Sequence, residues 1–203
     1  IEQDFELRTQ ERKFQKISTT NRTTNAANIF IEKGAQVKHC FLNASDGPTY
    51  IGENAVVMDG SMLYGPIAIC DNAVVKLGSK IYGATTIGPN CIVGGEIKNS
   101  VFFGNSNKAH DGYIGDSVIS EWCNMGAGTS NSNIKNNASS VMLWTPNGSV
   151  NVGLKCGVMM GDYSRTAINT SINTGTVIGV CCNVFGSGLT PKYIPCFSWG
   201  SEG

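Results

Sequence analysis

The sequence predicts an all-β fold, a parallel β-helix in which short strands and turns wind into a stack of coils. The first observation is a period of six, with an aliphatic residue at every sixth position and a mostly small residue four positions after each one. The second is composition, since 25 of the 203 residues are glycine and only 15% are charged. Many tight turns and few charges are typical of a β-rich solenoid.

The first run of repeats covers eight hexads without a break. Its aliphatic members are Ile51, Val57, Leu63, Ile69, Val75, Ile81, Ile87 and Val93. The members four positions later are Ala55, Ser61, Ile67, Ala73, Ser79, Thr85, Cys91 and Ile97. A period of six matches neither an α-helix nor simple strand alternation, and collagen and coiled coils have other periods. It matches a short strand plus a turn, three of which close one triangular coil, with the small residue at the corner.

A second run of repeats follows, separated from the first by two polar stretches that interrupt the six-residue period. Its members at the equivalent position are Leu154, Met160, Thr166, Ile172, Ile178 and Val184. The two interruptions cover residues 98–112 and 130–150, and insertions in a solenoid usually leave the stack as loops that carry function. We therefore expect two loop insertions, a linker over residues 1–28 and a β-helix domain over residues 29–203.

Composition also limits the partners and the compartment. The 15 basic and 15 acidic residues balance, so nothing indicates broad attraction to nucleic acid or to an anionic membrane. No apolar run approaches the roughly 18 residues of a membrane span, and the polar N-terminal segment is unlike a signal peptide. The eight cysteines form no Cys-x-x-Cys pair, which favours reduced thiols in a cytoplasmic protein. The absence of an initiator methionine suggests a piece of a longer polypeptide.

The first interruption carries the candidate chemistry. His110 is accompanied by Lys98 and Lys108 and, just beyond it, by Asp111 and Tyr113. The only other histidine, His39, lies in an early repeat without such neighbours. An isolated histidine in a polar segment is most often a solvated side chain. Several reactive side chains in one stretch make His110 a candidate catalytic residue instead.

Two motifs around His110 give a family resemblance. The first is Lys-Ala-His-Asp-Gly-Tyr-Ile-Gly-Asp at residues 108–116, and the second is Asn-Met-Gly-Ala-Gly-Thr at residues 124–129. Together with Pro-Lys-Tyr-Ile-Pro at residues 191–195, they resemble the acetyltransferase half of bifunctional sugar-1-phosphate nucleotidyltransferases. The resemblance covers about residues 29–200. It implies a left-handed β-helix, a homotrimer, acetyl-CoA as co-substrate, no metal and an amino-sugar-1-phosphate as acceptor.

The resemblance also implies roles for individual residues. His110 corresponds to the general base that takes a proton from the sugar amine, a role suited to an imidazole with an ordinary pKa near 6.5. Lys98 corresponds to a lysine that contacts the sugar phosphate, and Tyr113 and Asn124 to residues that place the sugar. Lys135 is a second candidate for the phosphate, and Ala127 corresponds to a position whose backbone faces coenzyme A.

Two departures from the family pattern leave the substrate open. Asp111 and Gly112 follow the histidine, where the family has an aliphatic residue, and residues 131–135 replace an Asn-Tyr-Asp type segment. No glycine-rich nucleotidyltransferase loop occurs in the chain. The main alternative is a non-catalytic module that trimerises and supports a nucleotidyltransferase domain. A metal-binding β-helix would need more histidines than His39 and His110.

Overall fold

A computed structural model describes residues 12–200 as a left-handed parallel β-helix with three long sheets. Sheet 1 contains β1 (Arg22–Thr24), β4 (Phe41–Asn43), β7 (Met62–Tyr64), β10 (Lys80–Tyr82), β13 (Glu96–Lys98) and β16 (Tyr113–Gly115). Sheet 2 contains β2 (Ile29–Ile31), β5 (Thr49–Ile51), β8 (Ile67–Ile69), β11 (Thr85–Ile87), β14 (Val101–Phe102), β17 (Val118–Ile119), β22 (Val158–Met160), β25 (Thr176–Ile178) and β27 (Tyr193–Ile194). Sheet 3 contains β3 (Gln36–Val37), β6 (Val56–Val57), β9 (Val74–Val75), β12 (Ile92–Val93), β15 (Asn107–Lys108), β18 (Asn124–Met125), β23 (Arg165–Thr166) and β26 (Asn183–Val184).

Four short strands and one 3₁₀ turn complete the described elements. The turn covers Ala26–Asn28, β19 (Ser130–Asn131) pairs with β24 (Ser171–Ile172), and β20 (Met142–Leu143) pairs with β21 (Val150–Asn151). From β1 to β18 the chain visits sheets 1, 2 and 3 in that order in each coil, and β19 and β24 take the place of a sheet 1 strand in the later coils. We call the connections the 1–2, 2–3 and 3–1 corners.

The core consists of ladders of like side chains, because equivalent residues of successive coils are paired in register. Both hexad sets predicted between residues 51 and 97 are buried throughout, so the assignment of the six-residue period is confirmed. In sheet 3, for example, Val57, Val75 and Val93 form one inward ladder. The small members, such as Ala55 and Ser79, are fully buried at the ends of the turns, where space is shortest.

The 2–3 corner turns through left-handed backbone. Asn54, Asn72 and Asn90 occupy it in successive coils at φ of 56°, 58° and 58°. Asparagine tolerates this region better than other residues with a Cβ, which explains its recurrence here. In later coils Trp122 and Tyr163 take this position, and their rings stack with an interplanar angle of 4°.

The prediction of a loop at residues 98–112 is wrong, because this segment stays in the stack. Ala68 pairs with Thr86 eighteen positions later, but Thr86 pairs with Val101 only fifteen positions later. Ile92 pairs with Asn107, again fifteen positions on. The coil is shorter at its corners, so the sequence loses the six-residue frame while the strands remain in register.

The second interruption is a true insertion at the 1–2 corner. The chain leaves after Asn133 and returns at Cys156, whose N–H donates to the Asn133 carbonyl at 2.9 Å. Strands β20 and β21 form the insertion hairpin, and its Trp144 stacks on Tyr193 with ring centroids 3.5 Å apart. Leu154 is exposed within the insertion, so the second run of core positions starts at Met160, not at Leu154.

The N-terminal part of the described chain already joins the solenoid. Strand β1 pairs in parallel with β4, so the sheets begin before residue 29, and Ile17 packs against the core. Residues 1–11 of the expected linker lie outside the described residues. No helix between residues 12 and 200 is long and apolar enough to cross a membrane.

The cysteines are free thiols. Six of them are buried, and only Cys181 and Cys196 are exposed. Cys91 and Cys123 occupy small inward positions, where burial raises the pKa of each thiol to about 11. These side chains act as small apolar residues of the core, as the sequence predicts.

Candidate active site

His110 lies exposed at the 3–1 corner, in the turn between β15 and β16. Because Lys108 and Met125 are equivalent in successive coils, Ala127 lies one coil above His110 at the same corner. The Gly128 N–H donates to the Asp111 carbonyl at 2.9 Å and ties the two turns together. The two family motifs, at residues 108–116 and 124–129, are therefore neighbours along one edge of the solenoid.

Gly126 allows the close stacking of this edge. A Cβ at Gly126 would lie 2.5 Å from the carbonyl carbon of Ala167 in the next coil. Only glycine permits two turns to approach so closely. The glycines of the Gly-Ala-Gly-Thr segment therefore have a packing role, whatever else this edge binds.

Tyr113 begins β16 immediately after this corner. Its hydroxyl lies over Gly115, where a Cβ would be 2.1 Å from the phenolic oxygen, and accepts a hydrogen bond from Asn133 Nδ2 at 3.0 Å. Asn133 Nδ2 also donates to Asp116 Oδ2 at 2.5 Å. Burial, aided by the negative charges of Asp116 and Glu96, raises the pKa of Tyr113, so its hydroxyl remains a hydrogen-bond donor at neutral pH.

Lys98 shares the outer face of sheet 1 with Tyr113. It ends β13 beside Gly115, and its Nζ lies 5.7 Å from the ring centroid of Tyr82 in the preceding coil. The Tyr82 hydroxyl donates to Glu96 Oε1 at 2.6 Å, and this hydrogen bond is the main reason that the Tyr82 pKa rises to about 12. The fold thus brings Lys98 and Tyr113 together on one polar surface, next to the turn that holds His110.

Lys108 is the least expected residue near the site. It occupies the inward ladder of sheet 3 after Val93 and is 1% exposed. Its Nζ donates to the carbonyl oxygen of His110 at 2.6 Å. Burial lowers the Lys108 pKa to about 8, although the charge of Asp111 partly opposes this effect.

Two predicted site residues lie elsewhere in the described chain. Asn124 is on the outer face of sheet 3, where its Oδ1 accepts a hydrogen bond from Asn107 Nδ2 at 2.7 Å. Lys135 lies in the insertion, and its Nζ donates to the Ser140 carbonyl at 2.6 Å. Neither residue shares a face with Lys98 and Tyr113 within one chain.

Lys135 instead lies near Lys192, which belongs to the last coils of the solenoid. Burial and the positive charge of Lys135 both lower the pKa of Lys192. Lys192 Nζ donates to Asn173 Oδ1 at 3.0 Å. The insertion and the final coils thus hold two ammonium groups near each other.

Sequence reasoning missed the roles of Asn133, Asp116 and Lys108. Asn133 lies in the segment that departs from the family pattern, and only the closing of the insertion brings it to Tyr113. Lys108 falls in the predicted loop, because the six-residue frame is lost there, and the sequence therefore did not predict that its side chain points inward. Within residues 12–200 no three histidine, cysteine or acidic side chains are grouped as a metal site would require.

Fold and site together define a hexapeptide-repeat β-helix protein with a histidine at a coil corner. No protein-family model matches the chain. The chain is 33% identical over 99 residues to the bifunctional protein GlmU of Methanocaldococcus jannaschii, which covers 49% of this chain and 24% of that protein. It is 35% identical over 91 residues to a bifunctional sugar-1-phosphate nucleotidylyltransferase/acetyltransferase of Sulfurisphaera tokodaii, covering 44% and 23%.

The predicted resemblance to the bifunctional sugar-1-phosphate enzymes is thereby confirmed. The chain spans about a quarter of the length of these curated relatives. Among solved structures, a UDP-N-acetylglucosamine acyltransferase of Francisella novicida covers 82% of this chain at 16% identity, with a TM-score of 0.34. The polysialic-acid-specific acetyltransferase NeuO covers 87% at 11% identity, with a TM-score of 0.38.

Proposed function

We propose that the protein is an acyltransferase that moves an acetyl group from acetyl-CoA to the amine of an amino-sugar-1-phosphate. The observation that carries this proposal is the surface of two neighbouring coils where Lys98 and Tyr113 lie on sheet 1 and His110 lies in the turn before Tyr113, which together offer a cation, a sugar-binding hydroxyl and a base. The acetyltransferase activity named for the Sulfurisphaera tokodaii relative supports the same reaction class. A reducing compartment such as the cytoplasm fits the free thiols.

His110 is the group suited to proton transfer in this reaction. The amine nitrogen forms a bond to the acetyl carbon, the carbon–sulfur bond breaks, and the coenzyme A thiolate leaves and takes up a proton. The amine must lose a proton as it becomes an amide, and the exposed imidazole of His110 can accept it. Ala127, one coil above, would present its backbone to the coenzyme.

The neighbouring polar surface is suited to a sugar phosphate. Lys98 supplies a positive charge for the phosphate, and the Tyr113 hydroxyl, oriented by Asn133, supplies a hydrogen bond to the sugar. Asn124 and Lys135 belong to this site only if a second copy of the chain contributes them, because they lie on other faces of the same solenoid.

A homotrimer would bring such faces together, and the surface of sheet 1 favours self-association. Its outer face exposes Phe41 in one coil and Met62 and Tyr64 in the next, each between 40% and 49% exposed. Contiguous apolar side chains on a surface typically mark an interface. The same face suits the alternative of a non-catalytic assembly module, so activity must decide between the two.

The test is acetyl transfer by the purified protein. Glucosamine-1-phosphate and other amino-sugar phosphates are incubated with acetyl-CoA, and product is followed by mass spectrometry, because exposed Cys181 and Cys196 would react with thiol reagents. We expect turnover by the wild type and a loss of at least about 100-fold in His110→Ala. Absence of turnover across the panel would leave the assembly module as the better explanation.

His39→Ala is the matched control. His39 is exposed and follows Val37 by two positions at a 3–1 corner, as His110 follows Lys108. Loss of the imidazole there should leave the rate unchanged. Equal losses in both variants would exclude His110 as the specific base.

A further inference from the structure

The backbone at His110 differs from three equivalent turns of the solenoid, those at His39, Asp59 and Ala127. In three other 3–1 corners, the residue two positions after the inward residue of sheet 3 accepts a backbone hydrogen bond at its carbonyl from the next coil. The His39 carbonyl accepts from Gly60 in this way at 2.9 Å, and the Asp59 carbonyl accepts from Gly78 at 3.1 Å. Ala127 follows the same rule with the N–H of Asn169 at 2.7 Å.

His110 occupies that position but does not follow the rule. The next coil's N–H, from Gly128, donates instead to the Asp111 carbonyl, one residue later. The His110 carbonyl accepts Lys108 Nζ from inside the solenoid at 2.6 Å. The peptide bond after His110 is therefore oriented by the side chain of Lys108 and not by the backbone hydrogen bonds that join successive coils.

The packing of the core does not require a lysine at this position. The same ladder holds Val57, Val75 and Val93 in earlier coils and Met125 in the next one. Burying an ammonium group costs several kcal/mol unless hydrogen bonds offset it, so an aliphatic residue would stabilise the stack better. A costly buried ammonium that donates to the backbone of one candidate catalytic residue indicates a role at that residue.

We infer that Lys108 is a positioning residue that fixes the backbone, and through it the imidazole, of His110. Its ammonium is buried in the core and is therefore out of reach of a substrate or coenzyme bound at the surface. Its hydrogen bond replaces the inter-coil bond that His39, Asp59 and Ala127 make. The catalytic value of this positioning rests on the proposed acetyl transfer. The orientation of the His110 imidazole, however, can be measured without any substrate.

The direct test is the NMR spectrum of the two imidazoles in the full chain labelled with ¹³C-histidine. His39 and His110 are the only histidines, so each variant carries an internal control. In Lys108→Met, which keeps the length and removes the ammonium, we expect the His110 signals to shift and broaden while those of His39 stay in place. Superimposable His110 signals would overturn the inference, and so would equal changes at both histidines.

Kinetics provide the second measurement. Lys108→Met should lower kcat about tenfold or more and leave KM for both substrates within about twofold, because binding groups are untouched. Met125→Leu, a volume-conserving change in the same ladder, should leave both constants unchanged. A Lys108→Met variant with wild-type kcat would refute positioning. If the wild type itself shows no turnover, the acetyl-transfer proposal fails, and the NMR result still decides the role of Lys108.

Discussion

The buried ammonium of Lys108 gives a prediction about stability and pH. A pKa of about 8 in the folded chain, against 10.5 for an ordinary lysine, corresponds to a burial cost of about 3 kcal/mol at neutral pH. Lys108→Met removes that cost but leaves the His110 carbonyl without its donor, a loss of about 1–2 kcal/mol. At pH 7 the variant should therefore be more stable than the wild type by about 1–2 kcal/mol.

The difference should reverse at alkaline pH. As the pH rises through about 8, the folded wild type loses the Lys108 proton while the unfolded chain keeps it up to about 10.5. The unfolded state then binds more protons, so wild-type stability rises relative to the variant by about 2–3 kcal/mol between pH 7 and pH 10. Thiol titrations, including those of Cys91 and Cys123, lower stability over this range in both proteins and cancel in the difference.

The assay is urea unfolding of both proteins at pH 7, 8.5 and 10 and at one protein concentration, followed by circular dichroism. A stability difference that stays constant with pH would show that Lys108 is not a buried titrating group. A wild type that is already the more stable protein at pH 7 would show that the hydrogen bond to His110 outweighs the desolvation of the ammonium.

Two further changes test the packing around the site. Trp144→Ala removes the stacking on Tyr193 and should undock the insertion hairpin at a cost of about 2 kcal/mol, seen as roughly 30-fold faster proteolysis there with little change in global unfolding. Gly126→Ala places a Cβ 2.5 Å from the Ala167 carbonyl carbon and should lower stability by about 2–4 kcal/mol. Gly104→Ala, whose Cβ would have no neighbour nearer than 3.5 Å, is its control and should change stability by less than about 1 kcal/mol.

The period of six was enough to predict the architecture, because it reports directly which side chains enter the core. The aliphatic position and the position four residues later are buried in every hexad between residues 51 and 97, as that period requires. The same reasoning failed at residues 98–112, where shortened corners removed the frame without removing the strands. Sequence spacing measures chain length between core positions, and it does not distinguish a shorter turn from an excursion.

The sequence by itself therefore determined the solenoid, the family resemblance and the candidacy of His110, all of which depend on local patterns. Only the tertiary structure decided which side chains meet. Asn133 reaches Tyr113 because the insertion closes at Cys156, and Lys108 points inward because its coil stays in register with Val93. Both contacts arise from the stacking of coils, and such stacking joins residues whose separation along the chain varies with every turn and insertion.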